Sequence, residues 1–442
     1  MRYSVPRSRR GASRLCSIRR PRAVTAGLAA LAALASFSLA ACGSSSAGGD
    51  AKSITFYVNV TPTLTKSFWQ KQVDGFEKTH SGDTVKLVDS KGQDVTKYFA
   101  TLAASGSVPD VIGVPPGDMD RYHTLLHPFD TSEKWVQFPG YQGQEYDGKL
   151  YGVSSATTAY GLVFYNKDYF KKAGITSTPT SMDELTADMA KLKSAGYVPL
   201  ETSGDFVLGF QFTSLTYPTL FSKDPQFYSD VAAGKAKFDD SAFQQVANYY
   251  SDWVKKGYFN KGAMSTTYDT SEKDFAQGAT AMYPLAAWYT PALNEAKSKY
   301  DIGVFPVPTV DGSAAPLEVD PINTYYISDK VKNYDLAEEF VKYLSTDQTA
   351  VRNFITADGD YSTATPPVQR PMSPIEKDIA GLIDKAVADK TTVPCCEGAI
   401  NSGNGAPGIQ DELNTLAGDL QLGKSPSGFG AKLDDWWAHN KS

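Results

Sequence analysis

Strand and helix signals alternate along most of this chain, and that alternation limits the folds open to it more than any other feature. Ile54-Thr55-Phe56-Tyr57-Val58 is a short β-branched and aromatic run of the kind that makes a buried strand. A helix is expected over Lys66–Lys78, with Phe68, Val73 and Phe76 on one face, before a second strand at Val85–Val88. Val95, Tyr98, Phe99 and Leu102 recur at helical spacing as far as Gly106, and Pro109–Val114 returns to strand. The middle continues with a strand over Tyr160–Tyr165 and a short helix over Lys167–Ala173 that stops at Gly174. Ser181 and Glu184 then form a capping box for a helix carrying Leu185, Met189 and Leu192. Phe243, Val246, Tyr250 and Trp253 mark a further helix, Ile302–Val304 and Tyr325–Ile327 are strands, and Leu336–Leu344 is a helix. Repetition of this kind predicts an α/β protein whose parallel sheets are covered by helices.

The first fifty residues do not belong to that pattern. Residues 1–22 hold eight Arg and no acid, and residues 23–41 are uncharged and rich in Ala and Leu. Small residues end the stretch at Leu39-Ala40-Ala41-Cys42. These are the parts of an export signal, and Leu-Ala-Ala-Cys resembles the bacterial lipobox. We therefore expect 1–41 to be a removed signal peptide, Cys42 to carry a diacylglycerol, and 42–52, with its Ser and Gly, to be a flexible tether. The expected location is the extracytoplasmic face of the cell membrane, held there through the lipid.

Loss of the signal changes the charge. The 43 basic and 49 acidic residues of the whole chain become 35 against 49, and only Arg121, Arg352 and Arg370 remain of the arginines. So acidic a surface argues against nucleic acid as a partner. Few Arg also disfavour an anionic ligand, since the guanidinium fork is the side chain best shaped for carboxylate or phosphate. About 400 mature residues suggest two domains. Cys395 and Cys396 are adjacent, so a bond between them would be strained.

Catalytic and metal signatures are missing from the sequence, and neither an enzyme activity nor a cofactor is expected. His123 and His127 have the spacing of two ligands on one helix face, but Pro128 follows and no third ligand is near, so no metal site is expected. Gly143 to Lys149 matches a phosphate loop only in part, because Leu150 replaces the hydroxyl residue.

One series of patterns stands out. Asp147-Gly148-Lys149-Leu150-Tyr151-Gly152 is followed by Gly161-Leu162-Val163-Phe164-Tyr165-Asn166-Lys167-Asp168, then by Phe170–Ile175, Pro179–Leu185 and Lys191–Gly196. Ser107–Val111, Phe275-Ala276-Gln277-Gly278-Ala279-Thr280-Ala281-Met282 with Trp288, and Gly303–Pro308 add to them. In this order the segments resemble the extracellular solute-binding proteins of ABC importers, family 1, the sugar-binding group that includes maltose-binding protein. The resemblance implies a two-lobed, type II-like Venus-flytrap fold with α/β lobes. It places lobe 1 at 53–158 plus 306–357 and lobe 2 at 159–305 plus 358–442, with crossings near 157–160, 303–306 and 357–361. It also implies a monomer that delivers its solute to a membrane permease.

A sugar site needs flat aromatic platforms beside Asp, Asn or Glu groups that match pairs of hydroxyls. By the same resemblance Trp288 is the leading platform. Asn59 and Thr61 follow the first strand, and Asp118 is the carboxylate nearest the turn after Val111–Val114, where Pro115-Pro116-Gly117 departs from the family pattern. Tyr160 opens the strand after the first crossing, Asp205 and Phe206 follow Thr202-Ser203-Gly204, and Asn323 precedes a returning strand where a Gly-rich turn is more usual. Core packing remains open for Trp288, and turn capping for Asp118. Three alternatives remain: the same fold with a peptide, amino acid or polyamine as ligand, a surface-anchored glycoside hydrolase, and a structural or adhesive lipoprotein.

Overall fold

A computed structural model describes residues 52–92, 95–136, 144–146, 148–204, 206–364, 366–393 and 408–440. The expected signal, Cys42, the tether and the Cys395-Cys396 pair lie outside the described residues. Residues 50–442 form one compact unit.

The first sheet has the strand order Thr84–Asp89, Ser53–Val58, Val111–Val114, Thr324–Ser328, Leu126–His127, and Gly152–Val153 also pairs with Thr324–Ser328. Its first three strands are parallel, with Phe56 opposite Leu87 and Val111. Thr324–Ser328 joins them antiparallel. The period-two alternation of a strand divides its side chains between two faces. Ile54, Phe56 and Val58 enter a core with Trp69, Val73, Phe76 and Phe340, whereas Tyr57 and Ile112 pack against Phe99, Met119 and Tyr326. Thr65 starts the helix Lys66–Glu77 by accepting from the Phe68 N–H at 3.2 Å. That helix buries Trp69, Val73 and Phe76, and Phe68 flanks the core.

The second sheet runs Val198–Leu200, Thr280–Leu285, Leu162–Asn166, Ile302–Pro306. Only its first pair is parallel, and Leu162–Asn166 is antiparallel to both neighbours. The expectation of parallel sheets therefore holds for one part and fails for the other. The reason is topological: Leu162–Asn166 carries the chain away from a crossing, whereas Ile302–Pro306 brings it back.

The crossings form a sheet of their own, with the order Tyr361–Ser362, Ala156–Ala159, Leu317–Pro321, Thr392–Val393. Ala156–Ala159 links Gly152–Val153 of the first sheet to Leu162–Asn166 of the second, and Leu317–Pro321 links Ile302–Pro306 to Thr324–Ser328. The pass back thus falls at 317–321, not at 303–306. The intervening chain stays on the second-sheet side. The Val307 N–H donates to Gly161, Met182 donates to the Thr309 carbonyl, and the Val310 N–H donates to the Thr219 hydroxyl.

One helix is invisible in the sequence pattern. Val207–Lys223 is buried from Val207 to Phe221 and contains Pro218, so it shows neither an apolar stripe nor an uninterrupted helical run. It packs among the helices Ala242–Lys255, Ile409–Gln421 and Phe429–Asn440, with Phe212, Trp253, Leu413, Phe429 and Trp437 in one core.

His123 and His127 do not share a helix face. The helical turn Gly117–Leu125 carries His123, and His127 is in the short strand that follows. No group of three His, Cys, Asp or Glu suited to a metal occurs among the described residues. No helix among them is long and apolar enough to cross a membrane.

Candidate functional site

The loop that leaves the first strand is tied down by its own hydroxyls. The Asn59 N–H donates to Gly113, and the Trp69 indole N–H donates to the Asn59 carbonyl at 2.8 Å. Thr61 Oγ1 accepts from the Leu64 N–H at 2.9 Å and lies 3.1 Å from Thr63 Oγ1. Thr63 in turn donates to Asp358 Oδ1 at 2.6 Å. A seven-residue loop, 59–65, is thereby fixed by side-chain bonds that replace the ladder it has left.

Across from it, Thr267 caps the helix Tyr268–Ala276, whose i, i+4 spacing sets Tyr268 and Glu272 on the same face. Trp288 is in the turn Ala287–Tyr289, immediately before the helix Thr290–Ala296. Its ring stands 5.3 Å from Tyr160 and 5.1 Å from Phe210. These two rings, packed behind it, fix the indole plane, because turning it would require both to move.

Between these two walls is a cavity of about 580 Å³. Asn59, Thr61 and Asp358 line it on one side, Phe206, Tyr268, Glu272 and Trp288 on the other, and Asn323 at the crossing. The volume is that of a small-molecule site. Burial pushes the Glu272 carboxyl up to about 7, helped by the charge of Asp269 and opposed by the Tyr268 hydroxyl and Lys273. Burial also raises the Tyr268 phenol, and the neighbouring Glu272 adds to the shift. Near neutral pH Glu272 is partly protonated, and this wall offers hydroxyl, carboxyl and indole groups beside the charged Asp269, Lys273 and Glu295.

Of the residues expected from the sequence, Asn59, Thr61, Phe206, Trp288 and Asn323 come together around this one space. Asn323 has φ 49°, in the left-handed region that Asn tolerates better than most residues, so it makes a turn where Gly is more usual. It is 2% exposed, beside Tyr325, and among the described residues neither end of its amide has a partner at hydrogen-bonding geometry. Phe206, by contrast, is 49% exposed at the rim and 5.1 Å from the Tyr268 ring. Tyr160 is placed behind Trp288 as packing rather than among the lining groups. Asp205 lies outside the described residues, as does the side chain of Asp118.

Tyr268, Glu272 and Asp358 are not anticipated from the sequence. The i, i+4 pairing of Tyr268 and Glu272, just before Phe275-Ala276-Gln277-Gly278, is a signal that was there to be read. Asp358 falls in the crossing expected near 357–361, but nothing in that segment singles it out as a lining residue.

Known proteins give this architecture a context. The family model "Bacterial extracellular solute-binding protein" matches residues 61–351. The Multiple sugar-binding protein of Streptococcus mutans is 25% identical over 346 residues, 75% of this chain and 81% of that one. The Maltodextrin-binding protein MdxE of Bacillus subtilis is 25% identical over 338 residues, 73% of this chain and 77% of that one. Among solved structures, a chitin oligosaccharide binding protein gives a TM-score of 0.74 at 23% identity, covering 89% of this chain and 99% of its own. The solute-binding protein RafE in complex with raffinose gives 0.71 at 20% identity, covering 88% and 100%. The two-domain α/β fold of such proteins is the fold of this chain, and by its match over well more than half its length the chain belongs to the bacterial extracellular solute-binding protein family.

Proposed function

We propose that the chain captures a carbohydrate, a mono- or oligosaccharide, in the cavity around Trp288 and delivers it to the membrane subunits of an ABC importer. The observation that carries this reading is the pairing of a fixed indole with hydroxyl, amide and carboxyl groups around 580 Å³ of space. A sugar ring has an apolar CH face that suits an aromatic plane, and a girdle of hydroxyls that suits Asn, Glu and Asp. Two relatives whose names specify sugar or maltodextrin binding support it further. In this reading the halves built on the first and on the second sheet, joined through Ala156–Ala159, Leu317–Pro321 and the turn before Tyr361–Ser362, act as lobes that close on the solute by a hinge motion. Closure follows from tighter binding to the closed form. Cys42 carries the lipid that keeps a monomeric receptor at the membrane, and the chain does no chemistry on what it binds.

Calorimetry and intrinsic tryptophan fluorescence of the purified protein against raffinose, maltotriose, chitotriose and simple hexoses test the reading, with amino acids and polyamines as the contrasting arm. A saccharide is expected to bind in the micromolar range or tighter. Silence of every saccharide at millimolar concentration would sink it. Cys42→Ala is expected to release the protein from cells, and continued full association would disprove the anchor.

A further inference from the structure

The walls of the cavity carry an unbalanced charge. Among the described residues its lining has four carboxyl groups, on Asp269, Glu272, Glu295 and Asp358, against the single ammonium of Lys273, and no guanidinium. Asp269, Lys273 and Glu295 are exposed, whereas Glu272 and Asp358 are half-buried. The ion pairs among the described residues lie elsewhere, and none of them includes any of these four acids.

Local structure accounts for only one of the four. Asp269 is in the first turn of the helix Tyr268–Ala276, where the positive end of the helix dipole favours a carboxylate. Glu272 follows three residues later on the same face, a spacing at which like charges repel. Glu295 is in the last turn of the helix Thr290–Ala296, and Asp358 ends the helix Gln348–Asp358, so both acids stand at the negative end of a dipole. Thr63 donates to Asp358 Oδ1 at 2.6 Å, but a carboxylate accepts more than one such bond. Burial raises both the Glu272 and the Asp358 carboxyls, and an opposite charge brought close would reverse that rise. An independent sign of a ligand is Asn323. It lines the same cavity, is 2% exposed, and among the described residues its amide oxygen and nitrogen are both unmatched. A buried amide in that state costs free energy that a bound polar group can return.

We propose that the solute is a saccharide bearing a protonated amine, an amino sugar or a short oligomer of one, whose ammonium is held by the carboxylates of this lining, Glu272 and Asp358 foremost. The inference rests on the saccharide reading of the cavity, which it deepens. An ammonium has three donors and no acceptor, so it suits carboxylates and the amide oxygen of Asn323. The indole of Trp288 fits the same solute, since an aromatic face attracts a cation as well as the CH face of a sugar ring. An anionic saccharide would meet only Lys273 as a partner of opposite charge in the described lining.

The test is calorimetry of the full chain at pH 6.5 with three trimers of similar size: the glucosamine trimer, its N-acetylated form chitotriose, and maltotriose. The glucosamine trimer is expected to bind at least tenfold more tightly than either neutral trimer. Raising salt from 20 to 500 mM should cut its affinity severalfold and leave the neutral trimers nearly unchanged, because only the charged contact is screened. Spermidine, which has the charge without the ring, should bind at least tenfold more weakly than the glucosamine trimer. Glu272→Gln and Asp358→Asn should each shrink the ratio of glucosamine-trimer to chitotriose affinity at least fivefold. A loss of packing would lower both affinities together and leave that ratio as it was. A neutral trimer that binds as tightly as the glucosamine trimer overturns the proposal and leaves the saccharide reading standing. Spermidine as tight as the glucosamine trimer, or a ratio unchanged in both variants, overturns it as well. If no saccharide binds, charged or neutral, the saccharide reading fails and this inference falls with it.

Discussion

The wall of the cavity that the first sheet supplies is a short loop of Asn, Thr and Pro, pinned by its own hydroxyls, whereas the second sheet supplies a shelf of indole, phenol and phenyl rings. The loop has little apolar area to bury, and its groups are already partly bonded to one another. The shelf has large flat surfaces backed by Tyr160 and Phe210. The difference teaches where binding energy is expected to reside. Aromatic faces contribute area and dispersion, while exposed hydroxyls exchange bonds with water at small net gain.

The largest test of this division strikes the supports and leaves the walls intact. Trp69→Ala empties the first core and Trp253→Ala the second, and each is expected to lower unfolding stability by about 3–5 kcal/mol in denaturant melts, since both indoles are fully buried. A clearly smaller loss at Trp69 would mean that the loop wall tolerates a loosened foundation. On the shelf, Trp288→Ala should weaken saccharide binding by about 2 kcal/mol, roughly 30-fold, by calorimetry. A loss of less than threefold would return Trp288 to the core and break the comparison.

A pH effect separates the second-sheet side by another route. Burial, aided by Asp274 and opposed by Thr280, pushes Glu201 up to about 8 from an ordinary value of 4.5. The folded protein holds that proton where the unfolded chain has released it, so this contribution to stability is whole below pH 4.5 and declines as pH rises through about 8. Glu201→Gln should flatten the decline, with a gain of about 1–2 kcal/mol at pH 9 in thermal melts. The smallest effects belong to the loop: Asn59→Ala and Thr61→Ala should each weaken binding by about 1 kcal/mol or less, roughly fivefold. If either matched Trp288→Ala, the two walls would share the work equally.

The sequence was most informative where local chemistry decides the structure. Ser181 caps its helix as read, with its hydroxyl accepting from the Glu184 N–H at 3.2 Å, although Glu184 turns its own carboxylate to Thr180. The apolar runs at 54–58 and 111–114 became adjacent parallel strands. Harder to see were features created by long-range assembly. Val207–Lys223 hides its helical period because every face is buried. The return crossing at 317–321 depends on bonds from Val307 to Gly161 and from Val310 to Thr219 that no window of sequence contains. The site shows the same division. Trp288 and the loop at 59–61 were approachable through a resemblance, but Asp358 joins them across nearly three hundred residues of chain through its bond to Thr63.

The buried helix Val207–Lys223 also bears on the order in which the molecule can be made. Gly209 donates to Asn414 Oδ1, and Phe212 is 4.7 Å from Phe429, so a middle segment is sealed by chain some two hundred residues further on. During synthesis from the N-terminus, that face has nothing to cover it until residues 409–437 have emerged. Contacts of such long sequence separation form late, after their loop-closure entropy has been met. The nascent chain must therefore keep an apolar helix uncovered for much of its elongation, which leaves a long interval in which it is unfolded enough to be handed to other machinery before its second core can close.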